Sequence, residues 1–179
     1  MKVLLDACVL YPTVMREIVL GVAGKGLFVP LWSARILEEW ARAAEKLGEA
    51  DAMIARGEIV LLRANWPQAE VAADAEIEAP LYLPDPDDTH VLAVAISGQA
   101  DVILTLNLRD FPPRVLAEHG LTALHPDAFL RRLLDQAPGQ VREAVEQVRQ
   151  EAERLSGEAQ PMRKLLKKAR LPRLGKALE

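Results

Sequence analysis

The chain has 179 residues, 50% of them hydrophobic, and a formal net charge of −4, enough for one core-bearing domain with room for an appendage. An acidic chain is no general nucleic-acid coat, which shows a basic face, but it leaves room for an enzyme with carboxylates at its centre and basic groups at its rim. Cys8 is the single cysteine, which excludes an intramolecular disulfide and fits a reducing cytoplasm.

Lys2 to Leu5 is a short apolar run without helical spacing and predicts a buried strand, with Asp6 at its C-terminal end. Asp6 also interrupts this run before it can become the apolar region of a signal peptide. Thr13 is expected to cap a helix from about Val14 to Ala23, ended by Gly24 and Gly26. Leu27 to Leu31 reads as extended. Ser33 opens an amphipathic helix with Ile36, Leu37, Trp40, Ala44 and Leu47 at helical intervals, closed by Gly48.

Asp51 to Ala79 is helical in tone but broken by Gly57 and Asn65-Trp66-Pro67, with Ile59 to Leu62 a candidate strand. An extended piece from Pro80 to Pro84 leads into Pro-Asp-Pro-Asp-Asp, a turn and helix start where acids meet the positive end of the helix dipole. The helix runs from about Asp88 to Ser97; its apolar stretch, Val91 to Ile96, is too short to span a bilayer. A strand over Val102–Leu106, a helix over Pro112–Glu118, a strand over Leu121–Leu124 and a helix over Asp127–Leu134 follow. Short strands alternating with helices predict an α/β sandwich around a parallel sheet. Past Pro138-Gly139, a charged helix precedes a basic stretch containing Arg163, Lys164, Lys167, Lys168, Arg170, Arg173 and Lys176, opposed only by Glu179. It reads as a helical tail able to contact RNA or an acidic partner.

Functional groups in open parallel sheets collect at the carboxyl ends of strands. Asp6, Asp88 and Asp110 occupy such places or the helix starts beside them, and Glu39 lies within the Ser33 helix next to Trp40. Taken singly, Asp6 reads as a turn former, Asp88 as an N-cap, Glu39 as a solvated helix residue and Asp110 as a loop residue. Gathered together, carboxylates raise one another's pKa and suit a hard cation that takes oxygen ligands.

Their order on the chain resembles the PIN-domain family, particularly VapC-type toxin ribonucleases. The residues carrying the resemblance are Leu4-Leu5-Asp6-Ala7-Cys8-Val9-Leu10, Ile36-Leu37-Glu38-Glu39-Trp40, Asp85-Pro86-Asp87-Asp88-Thr89-His90-Val91-Leu92-Ala93-Val94-Ala95, and Ala100 to Thr105 continuing to Phe111. It covers Met1 to Leu134 and implies a three-layer PIN-like α/β fold over residues 1–134, with a helical basic extension over 135–179. It also implies a Mg²⁺- or Mn²⁺-dependent endoribonuclease. Asp6, Glu39, Asp88 and Asp110 are then catalytic, with Asp6, Asp88 and Asp110 the metal ligands. Glu39 fits the pattern better than Glu38. Asn107 stands where the family usually has a further acid, and Cys8 where it often has Ser or Asn. Thr105 and Asn107 would support the site, and Arg16 and Arg109 would contact RNA phosphates.

The resemblance further implies a tRNA or rRNA substrate, a cognate antitoxin, no membrane and a possible homodimer. Competing expectations are a catalytically inactive PIN-fold interaction module, marked by Asn107, and a PIN-like nuclease acting on DNA. A haloacid-dehalogenase-like phosphatase needs Asp-x-Asp after the first strand, whereas this chain has Asp6-Ala7-Cys8.

Overall fold

The structure, a computed structural model, describes residues 1–179. The chain packs into two compact units that interleave in sequence: Met1–Tyr11 with Val29–Leu124, and Pro12–Phe28 with His125–Glu179.

The first unit is built on a four-stranded parallel sheet: β1 (Lys2–Leu5), β2 (Val29–Leu31), β3 (Val102–Leu104) and β4 (Thr122–Leu124), in the order β2-β1-β3-β4. Central strands of such a sheet are apolar on both faces; Val3, Leu4, Leu5, Ile103 and Leu104 are fully buried. The helices of this unit are α1 (Ala7–Leu10), α3 (Ala34–Glu45), α4 (Glu49–Asn65), α5 (Ala75–Glu78), α6 (Thr89–Ser97) and α7 (Pro113–Ala117). This is the α/β architecture expected from the sequence.

Several local expectations need correction. The residues after Asp6 form the single turn α1, in which Val9 and Leu10 donate to the Asp6 carbonyl. Ser33 does cap α3, accepting from the Ile36 N–H at 3.2 Å, and Ile36, Leu37, Trp40, Ala41 and Ala44 are buried, but Leu47 lies beyond the helix and is exposed. Helix α4 runs unbroken through Gly57, so Ile59 to Leu62 is helix and not strand. Its buried residues Ala55, Ile59 and Leu62 fall at helical spacing, and that periodicity outweighs the cost of one interior glycine, about 1 kcal/mol. Pro80 to Pro84 forms no strand, running from a turn at Pro80 to a bend at Pro84, and β3 ends at Leu104, two residues short of its expected end.

The second unit is helical: α2 (Thr13–Gly24), α8 (Pro126–Gln136), α9 (Pro138–Ser156), α10 (Met162–Lys168) and α11 (Pro172–Ala177). Thr13 is already inside α2, and Pro12 holds the cap position without a side-chain bond. Pro138 starts α9 from a first-turn position, where its missing N–H costs nothing. Helix α9 packs on α2 and α8, and α11 on α8 and α10. Phe28 meets Phe129 edge-on, with ring centroids 5.2 Å apart. The expected tail is therefore folded: Leu165, Leu166, Leu171 and Leu174 are buried, and the Asp127 carboxylate accepts from the N–H groups of Arg173 and Leu174 at 3.0 and 2.9 Å. No helix is long and apolar enough to cross a membrane.

Candidate active site

The site lies in the first unit, where β1 and β3 end side by side. Parallel pairing of Leu5 with Leu104 carries Asp6 and Thr105 to the same sheet edge, and the Asp6 N–H donates to the Leu104 carbonyl at 3.1 Å. Asp6 is buried, as is Thr105. The Thr105 hydroxyl donates to Asp6 Oδ2 at 2.7 Å, and the Cys8 thiol donates to the same oxygen at 3.0 Å. Both donors fall on Oδ2, which fixes the carboxylate and leaves Oδ1 without a partner in the chain. Thr105 in turn accepts from the Asn107 N–H at 3.0 Å, and Cys8 Sγ from the Leu106 N–H at 3.2 Å. Burial, and then the charge of Asp6, push the Cys8 thiol up to about 12. At neutral pH it is a donor to Asp6 and no nucleophile.

Asp88 stands at the junction of a 3-10 turn (Pro86–Asp88) and α6. Its side chain makes no capping bond; Asp85 caps the turn instead, accepting from the Asp87 N–H at 3.0 Å. The half-buried Asp88 carboxyl is free of ion pairs and hydrogen bonds. Burial first, then the charges of Asp6, Asp85, Asp110 and Glu39, push it up to about 6. The other three candidate acids thus converge on Asp88, joined by Asp85. Sequence reasoning assigned Asp85 no role; its place in the Asp-Pro-Asp-Asp run was the available signal.

Glu39 reaches the cluster from α3. Its Oε1 lies 2.7 Å from Nε2 of the buried His90, out of line for a hydrogen bond, and neither His90 ring nitrogen has a partner. Arg35, exposed, sits 3.6 Å from Glu39 and 3.6 Å from Glu78. Glu38 is held elsewhere, by Arg42 and Arg56. Asp110 ends a second 3-10 turn (Leu108–Asp110), its N–H donating to the Asn107 carbonyl at 3.1 Å.

Every charged group converging on Asp88 is a carboxylate, the donor class of hard cations. No three of these side chains form a closed metal-holding group. The arrangement fits a small cation that uses one or two carboxylates and keeps several waters, as Mg²⁺ does. The family model described as PIN domain matches residues 2–109, more than half of the chain.

The chain belongs to the PIN-domain family. The match takes in Asp6, Glu39, Asp88, Thr105, Asn107 and Arg109, and ends one residue before Asp110. This PIN domain is also similar to a protein of Mycobacterium tuberculosis named "Putative ribonuclease VapC50", with 50% identity over 48 residues. That stretch is 27% of this chain and 28% of the relative, so the chain spans well under a third of that protein's length in the match. The comparison with solved structures found no match.

The remaining candidates of this PIN domain are less tightly drawn in. Asn107 is exposed, and its side chain makes no hydrogen bond within the chain. Arg109 is exposed on the second 3-10 turn. Arg16 belongs to α2 in the helical unit, where its side chain is buried with Glu17 at 3.5 Å. A buried arginine does not present its guanidinium to a phosphate strand as a surface contact would.

Proposed function

We propose that this PIN domain is a Mg²⁺- or Mn²⁺-dependent endoribonuclease, with Asp6, Glu39, Asp88 and Asp110 as its catalytic acids. The observation that carries the reading is the convergence of the Asp6, Asp85, Asp110 and Glu39 carboxylates on half-buried Asp88. A protein gains nothing in stability from such a cluster; a hard cation relieves it.

In this reading Asp6, Asp88 and Asp110 would hold the metal, one or two of them directly and the others through its waters. A bound cation supplies Lewis acidity, lowering the pKa of water toward neutrality and offsetting charge on the leaving oxygen. The chain's own residues prepare the site. Thr105 and Cys8 hold Asp6 through Oδ2 and leave Oδ1 to accept a ligand. Asp88, pushed up to about 6 by burial and the neighbouring carboxylates, would offer a carboxylate oxygen to the cation above that pH. Glu39, flanked by Arg35 and His90, completes the acidic wall from α3. Arg109, exposed on the second 3-10 turn, would meet a phosphate at the rim. Hydrolysis leaves a 5′-phosphate and a 3′-hydroxyl, with no covalent enzyme intermediate.

We assign the catalytic segment to residues 1–134 and the helical basic extension to 135–179. The likeness to a protein named as a ribonuclease supports RNA over DNA, and the family resemblance suggests tRNA or rRNA as substrate. From the family resemblance we further propose a toxin role in a type II toxin–antitoxin pair, a cytoplasmic location, a cognate antitoxin covering the acidic site, and a homodimer. A second reading, a non-catalytic interaction module, has one specific observation in its favour: Asn107 is neutral and unengaged where the family pattern expects an acid.

Cleavage of total RNA by the purified protein separates the two. The enzyme reading expects discrete cuts with Mg²⁺ or Mn²⁺ that vanish in EDTA and in Asp6→Asn and Asp88→Asn. Cuts surviving both substitutions would refute the assignment of the site. Absence of both cleavage and Mn²⁺ binding would leave the interaction module.

A further inference from the structure

The basic C-terminal segment is built as a surface. Residues 162–179 carry seven cations against Glu179 alone, leaving the rest of the chain with 15 basic and 25 acidic residues. All seven are exposed, and only Arg163 is engaged, with Glu179 at 3.1 Å. By contrast, the arginines late in α9 are neutralised locally: Arg149 by Glu146 and Glu153, Arg154 by Glu151. On α10, Arg163, Lys164, Lys167 and Lys168 share one side of the helix, and Leu165 and Leu166 are buried on the other.

The scaffold beneath is rigid. A side chain at Gly175 would press on Leu166 Cβ at 3.2 Å, so α10 and α11 meet at van der Waals distance. Asp127 holds the first turn of α11 through two backbone N–H groups. The connection turns at Arg170, with φ of 61°, a left-handed conformation that favours glycine. An arginine there puts a cation on the surface at the expense of backbone ease. Burial holds His125 below its ordinary value; the Asp127 charge opposes this, and the charges of Arg173 and Arg170 add to it.

We infer that α10, the Arg170 turn and α11 form a phosphate-binding surface that holds RNA, separate from the acidic cleavage site. The choice of RNA rests on the nuclease reading. An otherwise strongly acidic chain repels a polyanion, so its affinity must come from a basic surface such as this one. A membrane is disfavoured because a helix that lies on lipid offers a free apolar face, and these leucines are buried. An acidic protein partner is disfavoured because the patch lacks the exposed apolar centre of protein interfaces.

The test uses a 20-nucleotide labelled single-stranded RNA, in EDTA and an Asp88→Asn background, titrated from 50 to 300 mM NaCl. Each lost phosphate contact should flatten the log K against log salt slope by about 0.7. The combined variant Lys167→Ala, Lys168→Ala, Arg170→Gly, Arg173→Ala should bind at least tenfold more weakly at 100 mM salt, with a slope flatter by about 2–3. Arg170→Gly alone should weaken binding and leave thermal stability equal or higher; a merely structural Arg170 would leave binding unchanged. Unaltered affinity and slope in the combined variant would overturn the proposal. So would tighter binding of poly-glutamate or of phosphatidylserine vesicles than of RNA. Cleavage without metal-free binding to this surface sinks the surface and keeps the nuclease; binding without any cleavage does the reverse.

Discussion

Replacing Asp88 with asparagine should stabilise the metal-free protein at neutral pH. In the folded chain the Asp88 carboxyl is pushed from 3.8 to about 6 by burial and by the neighbouring charges of Asp6, Asp85, Asp110 and Glu39. At about 1.36 kcal/mol per pH unit, the whole displacement would be worth about 3 kcal/mol. Asp88 is only half-buried, and solvent screening reduces this to about 1–1.5 kcal/mol. The unfolded carboxyl loses its proton near its ordinary value, the folded one near the raised value. Between the two the folded state binds more protons, and stability falls as pH rises. Asparagine escapes this loss, so its advantage is nil near pH 4 and complete above about pH 6.5. For a chain of this size, about 2–4 °C per kcal/mol gives a rise of about 2–6 °C. Calorimetry in EDTA at pH 4.5 and pH 7.5 measures it. Saturating Mn²⁺ at a hundred times its Kd should reverse the order, raising the melting point of the parent chain by about 5–10 °C and that of Asp88→Asn far less. A destabilised Asp88→Asn at pH 7.5, or a gain independent of pH, would refute the carboxylate repulsion on which the site rests.

Other residues give further tests. Thr105→Val removes the hydroxyl that donates to buried Asp6 and accepts from Asn107. It should cost about 2 kcal/mol by chemical denaturation and lower the cleavage rate more than it raises KM. Cys8, with its thiol pushed up to about 12, should react with iodoacetamide at pH 8 only after unfolding, by mass spectrometry; fast labelling of the native chain would contradict its burial beside Asp6. Asp127→Ala strands two N–H groups at the start of α11 and should cost about 1–3 kcal/mol, measured by the same denaturation, while Asp127→Asn recovers part of the loss.

Elements governed by one strong local signal were legible in the sequence. The apolar run of β1, the Ser33 cap with the amphipathic stripe of α3, and Gly98 at the end of α6 all act within a few residues of themselves. Ile59 to Leu62 misled because a short apolar run fits strand and helix alike; the deciding register extends back to Ala55. Asp88 does hold the N-cap position of α6, but its side chain makes no capping bond, while Asp85 caps the preceding 3-10 turn. The Thr105 donation onto Asp6 Oδ2 was illegible, because it joins residues 99 positions apart through strand pairing. The fate of the basic stretch was hidden for a similar reason: its four buried leucines are spread among cations, and only the folded helices reveal which side each group takes.

The interleaving of the two units has a consequence in time. Helix α2 is synthesised well before α9, on which it packs, and the Lys25–Glu143 bridge between them closes over 118 residues. At about 5–20 residues per second, roughly 6–24 s separate synthesis of the two ends of that bridge. Throughout that interval Val22 and its apolar neighbours on α2 await their partner helix. The newborn chain therefore carries an early adhesive segment, and ribosome-associated chaperones have a defined window in which to shield it.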